Sequence, residues 1–193
     1  PRPATLPSEA YGRGFVTTCS VHRVQCDAHT VVDNLLDPLL NLAHSEISGD
    51  MMGYHACRDG GFWGLADYTV ALAPSCVAAR VTGTSRAHVT ITYDLPTTVQ
   101  TRVACGRHVK VVRVHARDDG DGGSTLFCFV ARNFLTGTAW DRVAAVAFEQ
   151  FVRSAKLRRL LETPRAAPRV QCATDRLHLL RRRSLKFLDE EVV

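Results

Sequence analysis

The stretch "CSVHRVQCDAH" places Cys19, His22, Cys26 and His29 within eleven residues, and each of these side chains can ligate zinc. A structural zinc site needs four donors converging on a tetrahedron, with close pairs typically about two to four residues apart in a turn. Here the surrounding "FVTTCSVHRV" (15–24) is rich in β-branched residues and reads as a strand. In a strand, Cys19 and His22 point to opposite faces, because successive side chains alternate. Buried cysteines and surface histidines therefore explain the four better than a metal centre does, and neither a metal nor any other cofactor is expected.

Other reactive combinations are equally thin. "YHACRDGG" (54–61) brings His55 and Cys57 together, but a cysteine nucleophile needs a base within hydrogen-bond reach and a third group to orient it, and this spacing specifies neither. "DDGDGG" (118–123) has carboxylates and glycines without the closing glutamate and glycine placement of a calcium loop, and it fits a flexible hairpin connection. No phosphate-binding Gly-x-x-x-x-Gly-Lys, nucleophile-elbow Gly-x-Ser-x-Gly or zinc-protease His-Glu-x-x-His motif occurs. The sequence thus predicts no enzyme.

Charge is concentrated at the C-terminal end. Residues 1–140 hold 12 basic and 12 acidic side chains, whereas 141–193 hold 12 and 7, so the net charge of +5 lies in the last quarter. Basic residues there include Arg158, Arg159, Arg181, Arg182, Arg183 and Lys186. On a helical projection of "RLHLLRRRSLKFL", Leu177, Leu180, Phe187 and Leu188 gather on one side and Arg182, Arg183 and Lys186 on the other. Within it "RRRSL" has the arginine spacing that basophilic protein kinases prefer, which makes Ser184 a phosphorylation candidate. The same run resembles a basic nuclear-import segment. As a nucleic-acid arm it lacks interleaved aromatics and any helix-turn-helix or zinc-finger spacing, so that partner is not favoured.

The elements that must position these groups follow from periodicity. Residues 1–13 hold three prolines and no apolar period, an extended lead-in. "DAHTVVDNLLDPLLNLAHS" sets Val32, Leu35, Leu36, Leu39 and Leu40 at helical spacing, with Asp27 or Thr30 to cap the start and Pro38 to kink or restart it. From 62 to 131 short β-rich runs alternate with turn residues, and "HVTITY" sorts Val89, Ile91 and Tyr93 onto one face. "TAWDRVAAVAFEQFVRSAKLRRLLE" (138–162) is a capped amphipathic helix, and Pro164 and Pro168 follow it. The predicted fold is α+β: an antiparallel sheet of about five or six strands over roughly 62–131, covered by helices at about 28–45 and 138–162, with a basic C-terminal helix. The predicted organisation is a lead-in at 1–13, one domain at 14–162, and a linker with basic amphipathic tail at 163–193.

Seven scattered cysteines include no Cys-x-x-Cys pair, and no Asn-x-Ser/Thr sequon is present, which favours a reducing cytosolic or nuclear compartment. No run approaches the ~18–20 apolar residues of a spanning helix. A third reading, a secreted or lumenal domain whose signal has been removed, fits the missing N-terminal methionine.

Taken as text, the run from "LPSEAYGRGFVTTCSVHRVQCDAHTVVDNLLDPLLNLAHSEISGDMMGYHACRDGGFWGLADYTVALAP" through "ARNFLTGTAWDRVAAVAFEQFVRSAKLRRLL" resembles the alphaherpesvirus nuclear phosphoproteins encoded by the third gene of the unique long region, next to the uracil-DNA glycosylase gene. The resemblance implies a viral accessory protein in the host nucleus, with cytoplasm as a second location, partnered by viral or host nuclear proteins and without enzymatic activity. It carries over no catalytic or binding residue. The alternative from composition alone is a nucleic-acid-binding regulator that uses 153–186 as an electrostatic arm.

Overall fold

The computed structural model describes residues 6–36, 68–73, 76–82, 87–94, 96–137 and 139. Within them the chain is mainly β. One turn of 3-10 helix (η1, Ser8–Tyr11) precedes β1 (Val16–Val24) and helix α1 (Ala28–Leu35). Six further strands follow: β2 (Tyr68–Ala73), β3 (Cys76–Thr82), β4 (Ala87–Asp94), β5 (Thr98–Cys105), β6 (His108–Asp118) and β7 (Ser124–Arg132). All seven form one antiparallel sheet in the order β1-β7-β6-β5-β4-β3-β2.

The α+β expectation of five or six strands under two amphipathic helices is thereby corrected to a mainly β fold. The physical reason is β1, which does not stand apart but pairs along its whole length with β7, from Val16 opposite Arg132 to Val24 opposite Ser124. Of the two expected covering helices, Ala28–Leu35 is the α-helix found among the described residues. The rest of 28–45, nearly all of 138–162 and the basic tail lie outside them.

Helix α1 begins where the sequence provides a cap. Asp27 has extended backbone, and its carboxylate accepts from the Thr30 amide at 2.9 Å and from Thr30 Oγ1 at 2.6 Å. The next amide, Ala28 N–H, donates to Asp118 Oδ1 at 2.7 Å, tying the helix start to the end of β6. Ser124 Oγ donates to the Cys26 carbonyl, so the first residue of β7 holds the same corner. Leu36 ends the helix, its amide bonded to the Val32 carbonyl at 3.0 Å. Pro38 lacks the donor that a further regular turn needs.

The core forms between α1 and one face of the sheet. Val31, Val32 and Leu36 are fully buried against Ile91, Tyr93, Val99, Val114, Ala116 and Leu126. The alternation of "HVTITY" reappears here: Ile91 and Tyr93 lie at 0% exposure while Thr90 and Thr92 are half-buried. Tyr93 directs its hydroxyl to the Pro96 carbonyl, and Thr97 Oγ1 donates to the Ala116 carbonyl, which closes the β4–β5 turn over the core. Full burial of side chains this size is worth about 1.5–3 kcal/mol each.

Asp27→Ala is expected to lower the unfolding free energy by about 1 kcal/mol in a urea titration at neutral pH. Partial burial alone would raise the Asp27 carboxyl, but hydrogen bonds from the Thr30 side chain and from the Thr30 and His29 amides outweigh it and hold the group below its ordinary 3.8. A lowered folded-state value stabilises above 3.8 and loses that contribution as pH falls through the folded-state value. The gap between parent and variant should therefore be constant from about pH 7 to pH 5 and shrink under stronger acid; a gap that widened on acidification would exclude the cap.

The thiols should also separate by burial. Cys19 is exposed, whereas Cys26 and Cys128 are buried, and burial pushes the Cys128 thiol up to about 12. Maleimide labelling of the native protein, mapped by mass spectrometry, is expected to modify Cys19 within minutes and Cys128 only after denaturant is added, since the thiolate is the reacting form.

Candidate functional site

The sheet has two chemically different faces, and strand alternation assigns successive strand residues to one or the other. On the face turned toward α1, β1 contributes Thr18, Ser20 and His22; β7 contributes Leu126, Cys128 and Val130; β6 contributes Val112, Val114 and Ala116. Val99 and Thr101 of β5 and Ile91 and Tyr93 of β4 continue it. Its centre is apolar and its β1 margin is polar. On that margin His22 Nε2 lies 2.8 Å from Ser20 Oγ, both side chains half-buried. An apolar floor with a few placed hydrogen-bonding groups at one side is the usual chemistry of a small-molecule site.

The opposite face is mixed: Val111 and Ala131 are fully buried on it, and a polar network lies beside them. Arg113 bridges strands, its guanidinium 3.0 Å from Asp94 of β4 and 3.2 Å from Gln100 Oε1 of β5. His115 Nδ1 is 2.8 Å from Thr98 Oγ1, and Arg102 meets Glu9 of η1 at 3.2 Å. At the β6–β7 corner Arg23 of β1 is ion-paired with Asp119 at 3.3 Å and with Asp121. A hydrogen bond from the Gly123 amide, then the bond from Arg23, hold the Asp121 carboxyl below its ordinary value. "DDGDGG" is therefore a hairpin corner stitched to β1.

The four metal candidates are dispersed. Cys19 is exposed on the polar face and His22 lies on the α1 face; Cys26 is buried past the end of β1, and His29 is exposed in the first turn of α1. Among the described residues no group of three His, Cys, Asp or Glu side chains is placed to hold a metal ion. Ser184 and the basic residues Arg158, Arg159, Arg181, Arg182, Arg183 and Lys186 lie outside the described residues. Sequence reasoning missed the row Arg113, His115 and Arg117. Its signal was present in "RVHAR", a basic residue at every second position, which in a strand means one face.

No protein-family model matches the chain, and neither does any curated protein. Solved structures do match in fold. A Pseudomonas putida CBB5 NdmA mutant with caffeine superposes with a TM-score of 0.73 at 12% identity, over 98% of this chain and 55% of that one. NdmB from the same organism gives 0.72 at 13% identity, over 97% and 55%. Dicamba monooxygenase with non-heme iron and dicamba gives 0.61 at 15% identity, over 98% and 62%. Of these neighbours, the last is a monooxygenase that holds non-heme iron. This chain spans between half and two thirds of the length of each, and at such identity the likeness establishes the shared fold. The expectations drawn from the herpesvirus resemblance are corrected on this finding. The fold is shared with the Pseudomonas putida proteins and with dicamba monooxygenase, so the viral nuclear phosphoprotein, the assignment as a non-enzyme and the host-nuclear location lose their basis. The nucleic-acid-binding and lumenal alternatives receive nothing from it either.

Proposed function

We propose that the chain is the sheet-bearing part of an oxidoreductase-related protein, and that its α1 face binds a small planar organic molecule. The observation that carries this is the fold likeness over nearly the whole chain to proteins solved with caffeine and with dicamba, each a compact ring compound. The side chains support it in chemistry. The half-buried Val112 offers a ring an apolar contact, and the Ser20–His22 pair at the margin supplies directional hydrogen bonds that fix its orientation. The margin discriminates among ring substituents through groups left unpaired by the wrong ligand. One of those neighbours holds non-heme iron. The described residues of this chain do not fit that metal, because no trio of ligating side chains converges among them.

Amide chemical-shift mapping with caffeine and dicamba as probes tests the reading. The expected result is saturable shifts centred on Val112, Val114, Val130 and Ser20, with His22→Ala weakening at least one probe about tenfold, the loss of a good hydrogen bond. Shifts confined to the opposite face, at Arg102 and Arg113, or none at all would overturn it.

A further inference from the structure

The polar face carries the row Arg113, His115 and Arg117 along β6, each about 7 Å from the next by strand geometry. β5 sets Thr98 and Gln100 beside the row, and β7 sets Phe127 and Phe129 on its other side. Thr98 holds His115 at Nδ1, so the ring has one orientation, and its Nε2 has no hydrogen-bond partner among the described residues. The Phe127 ring lies 6.3 Å from the imidazole, and the Arg117 guanidinium sits over that same phenyl ring at 5.7 Å. His115 and Arg117 thus flank one aromatic surface.

The surrounding charges decide which of these groups is available. Arg113 is engaged by Asp94 and Gln100, Arg102 of β5 by Glu9 of η1, and Arg23 of β1 by Asp119 and Asp121. Arg117 is 65% exposed and reaches Asp119 only at 3.8 Å. Among the described residues no carboxylate pairs with His115. Partial burial, then Arg113 and Arg117, pull its imidazole below the ordinary 6.5, which favours the neutral ring.

We propose that His115 and Arg117, oriented by Thr98 and Phe127, form a binding site for a small free dianionic oxyanion such as sulfate or phosphate. The anion accepts from the Arg117 guanidinium and from protonated His115 Nε2, charge-assisted bonds stronger than neutral ones. Its charge offsets the two guanidiniums that disfavour the imidazolium, so binding takes up a proton. By linkage the anion raises the titration point of His115, and acid tightens the anion to the same extent. This site is on the opposite face from the ring-binding floor and stands independently of it.

Sulfate is the first probe because it stays dianionic across the range. In the full chain, the His115 imidazole is titrated by NMR in chloride and again with sulfate, and sulfate affinity is read from the same signals at about pH 5.5 and pH 7.5. Expected are a midpoint below 6.5 in chloride, an upward shift with sulfate, and affinity roughly tenfold higher at the lower pH. His115→Gln should abolish that pH dependence and Arg117→Gln should weaken sulfate at both pH values, while Arg107→Gln, at the exposed β5–β6 turn, changes neither. Inorganic phosphate should compete with sulfate. The proposal fails if sulfate leaves the His115 midpoint unmoved, if His115→Gln retains the pH dependence, or if Arg107→Gln weakens sulfate as much as Arg117→Gln does.

Discussion

The pairing of β1 with β7 is the constraint on which the rest of the structure depends. Nine residues of the first strand lie against the last, with more than 90 residues of chain between Val24 and its partner Ser124. Closing a loop of that length carries an entropic cost that grows slowly with length but must be met before the ladder forms. The ladder offsets it with backbone hydrogen bonds along both strands and with a corner that does not exist without it. Only when Val24 sits opposite Ser124 can Ser124 bond the Cys26 carbonyl and Asp118 receive the Ala28 amide. Those bonds aim α1 across β5 and β6, and the buried cluster of Val31, Val32 and Leu36 with Tyr93, Val99 and Ala116 follows.

Once α1 is placed, alternation converts one sheet into two chemistries. β6 shows this in adjacent residues: Val112, Val114 and Ala116 face the helix, while Arg113, His115 and Arg117 face away. A shift of register by one residue would exchange the two sets, burying three basic side chains against α1 without partners and exposing the valines. Burying an uncompensated charge costs far more than the valines could return, so the same residues that give the outer face its binding chemistry also enforce the register of the inner one. Cross-strand bonds from Arg113 to Asp94 and Gln100 reinforce it over three strands.

Much of the local structure was legible in the sequence. The cap at Asp27, the face shared by Ile91 and Tyr93, and the hairpin character of "DDGDGG" each follow from a few neighbouring residues. What was not legible is non-local. Nothing in "FVTTCSVHRV" states that its partner is "STLFCFVAR", since both are simply β-rich runs, and so the sheet was undercounted and the class misjudged. The outer-face site was hidden for a related reason. His115 and Arg117 were visible as a period-two series, but Thr98 and Phe127, which orient them, come from other strands and are identified only by register. The arginines of the basic tail are contiguous in the sequence, whereas these basic residues alternate with apolar ones.

The wider comparison turns on the same distinction between backbone and side chain. A sheet order and its ladders can persist at 12% identity because backbone hydrogen bonds are blind to side-chain identity, and alternation asks only for apolar residues on the covered face. Chemistry has no such tolerance: three ligands must converge within bonding distance of one metal, or two donors on one anion. The described part of this chain keeps the scaffold and brings no metal-ligating trio together, yet it places His115 and Arg117 about one phenyl ring. Fold likeness therefore speaks for the scaffold, and the side chains decide which ligand a face can hold. On the inner face the polar pair Ser20 and His22 stands at the margin of a packed apolar core; on the outer face His115 and Arg117 are positive groups held around Phe127 by their neighbours.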